Sequence, residues 1–207
     1  MLKVKICGIT RPADALAAAE EGADYIGLIF APSPRRVDAR AARDVLRDLP
    51  GNVEAVGVFM DQPLAEVREI LDSTGLRIAQ LHGEEPPDYG RRLGHSFFKT
   101  FDALDALSVE RLKAYDAFAF LMDLPKGSPA GLRIDPDRAI QAKRHGRVIL
   151  AGRLTPATVG DLVARVRPFG VDCCAGTEKS SGIKDRAKIR DFIQAAREAT
   201  RAGVRAR

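Results

Sequence analysis

Residues 2–30 read LKVKICGITRPADALAAAEEGADYIGLIF, and they contain the unit from which the whole chain is built. An apolar run over 2–6 reads as a buried strand, and the spacing over 14–21 reads as a helix that Gly22 stops. A second apolar run follows at once, over 25–30. Two such runs joined by a helix form a parallel pair, because parallel strands need a long crossover connection. The pattern then repeats outward along the chain. Further apolar runs lie at 55–59, 78–81, 96–100, 118–122, 148–150 and 170–173. Each is followed by helical spacing: 41–49 after the second strand, then 64–71, a Pro86-led segment, 108–114, 137–144, 158–166 and 185–199. The strands read as continuous apolar stretches, as strands covered on both faces do.

Eight strand-and-helix pairs close a ring, so the expected architecture is α/β, a (β/α)8 TIM barrel formed by one compact domain over 1–207. An open doubly wound sheet is the alternative. Residues 201–207 read as a flexible basic tail, since Arg197, Arg201, Arg205 and Arg207 cluster there.

The 207 residues are 45% hydrophobic and 29% charged, enough to bury a full core. No apolar run approaches the roughly 20 residues that span a bilayer, and the opening MLKVKICGIT lacks a secretory apolar region, so no membrane association is expected and the location is expected to be cytoplasmic. Cys7, Cys173 and Cys174 are an odd set with two neighbours, which argues for reduced thiols. With no CxxC and with His82, His95 and His145 far apart, no metal and no organic cofactor is expected.

Lys plus Arg number 33 against 28 Asp plus Glu, a net charge of +5. The basic residues are mostly interspersed with acids, aromatics make up 6% and Trp is absent, which argues against nucleic acid and leaves a small anion as the ligand class.

In this barrel, active sites use residues at the carboxyl ends of the strands. That rule selects Cys7 and Gly8, then Pro34, Arg35 and Arg36, then Gln80, His82 and Gly83. Asp123, Gly152, Arg153, Asp172, Cys174, Ala175 and Gly176 complete the set. A phosphate is expected between the loops after strands seven and eight, near helix starts whose amides favour an anion, so Gly152, Arg153, Asp172, Ala175 and Gly176 are candidate binding residues.

The stretches KICGIT at 5–10, GAD at 22–24 with Gly27, SPRR at 33–36, VGVF at 56–59, QLHG at 80–83 and GIKD at 182–185 run in order over nearly the whole chain. Together they resemble the phosphoribosylanthranilate isomerase family. The resemblance implies an Amadori rearrangement of N-(5-phosphoribosyl)anthranilate in tryptophan biosynthesis, with Cys7 as general base and Asp123 as general acid. It also implies that Arg36 faces the anthranilate carboxylate, which a planar guanidinium can grip at both oxygens. His82 reads either as a rim histidine or as a substrate contact.

The chemistry asks for these residue types in its own right. Opening an aminosugar ring needs an acid at the ring oxygen, and moving the neighbouring carbon's proton needs a base. An ordinary thiol is only about 3% thiolate at pH 7, so Cys7 needs nearby positive charge; an ordinary Asp is protonated about once in a thousand, so Asp123 needs apolar surroundings such as Leu121, Met122 and Leu124.

The chain departs from the family in its phosphate loops. It has Ala151-Gly-Arg-Leu154 for Ala-Gly-Gly-Leu and Cys174-Ala-Gly-Thr-Glu178 for Ser-Ser-Gly-Val-Glu. Gly127-Ser-Pro-Ala-Gly131 replaces a glycine-rich loop, and Asp135-Pro136 replaces Asp-Trp. An arginine at 153 is awkward if its backbone needs a positive φ. Cys173 and Cys174 read as core and rim fillers pointing to opposite faces. A related phosphosugar isomerase or epimerase, or a non-catalytic barrel, is the alternative function. The expected partner is a small phosphorylated aminosugar, and the expected assembly is a monomer or homodimer.

Overall fold

A computed structural model describes residues 1–105, 108–125, 127–129 and 131–205 of the chain. Eight parallel strands close on themselves in chain order: β1 (Lys3–Cys7), β2 (Tyr25–Ile29), β3 (Glu54–Phe59), β4 (Ile78–Leu81), β5 (Ser96–Asp102), β6 (Ala119–Asp123), β7 (Val148–Leu150) and β8 (Gly170–Cys173). Pairing of β1 with β8, in the register Lys5 to Asp172 and Ile6 to Cys173, closes the ring and excludes the open sheet. The helices alternate with the strands: α1 (Pro12–Glu20), α2 (Ala39–Leu46), α3 (Leu64–Thr74), α4 (Pro87–Leu93), α5 (Ser108–Arg111, continued as a 3-10 turn to Ala114), α6 (Pro136–Ala142), α7 (Pro156–Val166) and α8 (Arg186–Arg205).

Local chemistry sets the helix ends. Asp38 and Asp135 cap α2 and α6 by accepting from the amides of Ala41 and Asp137. Pro136 takes the first position of α6, where its missing N–H does no harm, which gives the Asp135-Pro136 pair a structural role. Gly75 and Gly94 end α3 and α4 in the left-handed conformation.

The core has two parts. A larger shell, including Ile6, Leu28, Phe59, Leu81 and Phe192, lies between strands and helices; a smaller one inside the ring contains Tyr25, Val56, Phe98, Leu121 and Ile149. Lys5 and Lys99 are also fully buried.

Two expectations are corrected. β1 and β6 each end one residue later than the apolar runs, so Cys7 and Asp123 are the last residues of strands rather than the first of loops. Helix α8 continues to Arg205, so residues 201–205 belong to it and not to a tail, while residues 206 and 207 lie outside the described residues, as does Ala130 of the 127–131 loop. The reading also missed an antiparallel pair, β9 (Glu178–Ser180) with β10 (Ile183–Lys184), preceded by a 3-10 turn at Ala175–Thr177. Its inward residues, Glu178 and Lys184, are charged yet buried, so hydrophobic periodicity could not find it.

Candidate active site

Alternation along β1 turns Lys5 and Cys7 to the same face, while Asp172 lies opposite Lys5 on β8 and Cys174 follows the last residue of that strand. The buried Lys5 ammonium donates to Asp172 Oδ1 at 3.0 Å. Burial alone would depress the Lys5 pKa, but the Asp172 carboxylate and the Cys7 sulfur hold the ammonium charged.

Two groups of opposite need flank this pair. The Cys7 thiol is pulled down to about 7, first by a hydrogen bond from Cys174 and then, against the penalty of burial, by the Lys5 charge. Asp123 is pushed up to about 6 by burial and by the charge on Asp172, although the amide of Leu124 donates to it. Leu121, Met122 and Leu124 are buried around it. A base that ionises near neutrality and an acid that keeps part of its proton are what paired acid and base catalysis near neutral pH requires.

His82 stands between β4 and the acid. Burial and the Lys5 charge lower its pKa to about 4, so it is neutral at neutral pH. The Gln80 amide donates to its Nδ1 at 3.1 Å, which leaves the proton on Nε2, 3.9 Å from Asp123 Oδ2. That gap is too long for a hydrogen bond. Two cavities meet at His82 and Met60. One, of about 300 Å³, is lined by Thr100, Asp102, Asp123 and Leu124. The other, of about 180 Å³, is lined by Ile29, Ala31, Val58 and Arg35 and is largely apolar.

The two arginines after β2 differ. Arg35 forks onto both oxygens of Glu178, at 2.6 Å each, and thereby ties the β2 loop to β9. Burial would raise the Glu178 pKa, but Arg35 and Lys184 hold it below the usual carboxylate range. Arg36 is exposed, anchored by its backbone beside Ile29, and makes no ion pair among the described residues.

The loops after β7 and β8 pack against each other. Cys173 Sγ donates to Leu154 O at 3.1 Å, and a Cβ on Gly176 would sit 2.1 Å from the same oxygen, so only glycine fits there. Gly152 has φ +78 and Arg153 has φ +57, so this arginine does occupy the left-handed conformation that disfavours it. Its guanidinium donates to the carbonyls of Ser128 and Pro129 in the β6–α6 loop. Ala175 is exposed at the turn after β8.

Sequence reasoning thus named Cys7, Asp123, His82 and Arg36 but missed Lys5, and it took Cys174 for a rim filler. The period-two face shared by residues 5 and 7 was the available signal for the lysine. Among the described residues, no group of three or more His, Cys, Asp or Glu side chains is arranged to hold a metal ion, and no helix is long and apolar enough to cross a membrane.

Comparison with known proteins identifies the family and the fold. A family model for N-(5'-phosphoribosyl)anthranilate (PRA) isomerase matches residues 4–195. The N-(5'-phosphoribosyl)anthranilate isomerase of Geotalea daltonii is 40% identical over 202 residues, covering 96% of this chain and 98% of its own. The phosphoribosyl anthranilate isomerase structure from Thermotoga maritima superposes with a TM-score of 0.90 at 34% identity, covering 96% of this chain and all (100%) of its own. A further solved isomerase, in complex with reduced 1-(o-carboxyphenylamino)-1-deoxyribulose 5-phosphate, has a TM-score of 0.87 at 33% identity, with the same coverage of 96% and 100%. Family model, full-length identity and closed barrel agree: the chain belongs to the N-(5'-phosphoribosyl)anthranilate isomerase family.

Proposed function

We propose that the chain converts N-(5-phosphoribosyl)anthranilate into 1-(2-carboxyphenylamino)-1-deoxyribulose 5-phosphate, with Cys7 as general base and Asp123 as general acid. Protonated Asp123 gives its proton to the ring oxygen as the C1–O bond breaks and the nitrogen lone pair forms an imine. The Cys7 thiolate then takes the proton from C2, and the released electron pair makes the enolamine that tautomerises to the ketone. The substrate rearranges without gaining or losing a group.

The observation that carries this reading is a pair of opposed shifts: Cys174 and the Lys5 charge bring the thiol down to about 7, while burial and the Asp172 charge push the carboxyl up to about 6. Both feel the same buried ion pair, as does His82, which supports their serving one small molecule.

The apolar cavity beside Ile29, Ala31 and Val58 suits the aromatic ring, with exposed Arg36 for its carboxylate. Neutral His82 offers Nε2–H as a donor to the sugar. The phosphate is assigned to the backbone of Gly152, Ala175 and Gly176, with Asp172 acting inside the ring through Lys5. Arg153 serves the β6–α6 loop unless substrate draws it away. Three free thiols support a reducing, cytoplasmic setting.

A substrate panel tests the reading. Loss of anthranilate-type fluorescence is expected with phosphoribosylanthranilate and not with other phosphosugars. Turnover of another phosphosugar in its place would transfer the site to a related isomerase or epimerase, and binding without product would make the barrel non-catalytic.

A further inference from the structure

The thiol of Cys174 moves no proton in the isomerisation and bears on it only through the acidity of Cys7. Continuing the β1–β8 register one step beyond Ile6 and Cys173 sets Cys7 opposite Cys174. Neighbouring strands lie about 4.8 Å apart, within the Cα separation of about 4.4 to 6.8 Å that a disulfide spans. Cys174 also leaves strand geometry, with φ −111 and ψ −85, so its side chain is not held by the ladder. Its sulfur lies against the residue that follows Cys7, since a Cβ on Gly8 would sit 2.8 Å from Cys174 Sγ. Three cations surround the two sulfurs: Lys5 beside Cys7, and Arg35 and Lys184 beside Cys174.

We propose that Cys7 and Cys174 form a reversible redox modification site, closed to a disulfide by hydrogen peroxide and reopened by a dithiol. In the first step the Cys7 thiolate attacks the peroxide oxygen, the O–O bond breaks and Cys7 becomes a sulfenic acid, with hydroxide leaving as water. In the second, the Cys174 sulfur attacks the Cys7 sulfur, the S–O bond breaks and a second water departs. Two thiols lose two electrons and the peroxide gains them.

The order follows from the surroundings. The Cys7 thiol is the more acidic of the two, while the thiol of Cys174 is raised by its hydrogen bond to Cys7 and by burial, which makes it the resolving partner. Cys173 is excluded. It is buried, bonded to Leu154 O, and its thiol is pushed up to about 12 by burial.

The cross-link itself stands on the geometry, whereas its effect on turnover rests on Cys7 being the base. The test exposes the full chain to hydrogen peroxide and maps peptides without reduction, with turnover followed in parallel. Expected is a Cys7–Cys174 linked peptide lighter by two hydrogens, a fall in turnover of at least about tenfold, and recovery of both with dithiothreitol. The Cys174→Ser variant, under the same exposure, is expected to carry Cys7 onward to sulfinic acid with no recovery by dithiothreitol. Sulfinic acid at Cys7 with a free Cys174 in the parent chain, or a link to Cys173, would overturn the proposal. A Cys7–Cys174 link with turnover intact would uphold the thiol pair and remove Cys7 from the role of base.

Discussion

Lys5 and Cys7 stand two positions apart on one strand, and Asp172 reaches Lys5 across 167 residues of sequence. The first relation is legible from alternation; the second depends on ring closure, so no local reading could show it. The same holds for the shifts themselves. Cys7 and Asp123 were identifiable by motif, but their titration depends on neighbours supplied by β8. With the base at about 7 and the acid at about 6, kcat/KM is expected to be bell-shaped in pH, with a maximum between those values. A profile flat from pH 5 to 9 would contradict the pairing.

Asp123 also carries a stability cost. Folded, it keeps its proton up to about pH 6, while the unfolded chain releases it near the ordinary value of 3.8. Between these points the folded state holds the extra proton, so stability falls as pH rises through the window and the full cost is present above it. Asp123→Asn is therefore expected to stabilise the protein at pH 8 by about 1 to 2 kcal/mol, allowing for partial solvent screening, while abolishing turnover. Urea unfolding at pH 8 and at pH 4 measures this; an equal gain at both would contradict the cause.

At the scale of elements, β2 leaves room for the thiol of β1. A Cβ on Gly27 would lie 2.7 Å from Cys7 Sγ and 3.0 Å from Lys5 Nζ. Gly27→Ala is expected to lower kcat by at least about tenfold through displacement of the sulfur. Gly51→Ala, where nothing lies within 4 Å, is expected to leave it unchanged.

The Arg35–Glu178 fork joins the β2 loop to β9, and it was invisible in sequence because the two residues lie 143 positions apart and meet only on ring closure. Arg35→Ala leaves Glu178 with Lys184 and the Gly182 amide, so a loss of about 1 to 3 kcal/mol in unfolding free energy is expected. No loss would mean that the hairpin is held by its own contacts alone.

The closed ring is what brings residues from both ends of the chain together at the candidate site. Its strands were legible to within a residue or two because the ring is covered on both faces and its strands are apolar. The β9–β10 pair was not, since charge pairing rather than apolar burial holds it. Closure places Cys7 of the first strand beside Cys174, which follows the last, and brings Asp123 of the sixth into the field of the same Lys5–Asp172 pair. The most direct test is the turnover of phosphoribosylanthranilate at saturation by purified, folded Cys7→Ala. A fall of at least about a hundredfold from the parent rate is expected for removal of a general base. A variant that turns over as fast as the parent would contradict the assignment.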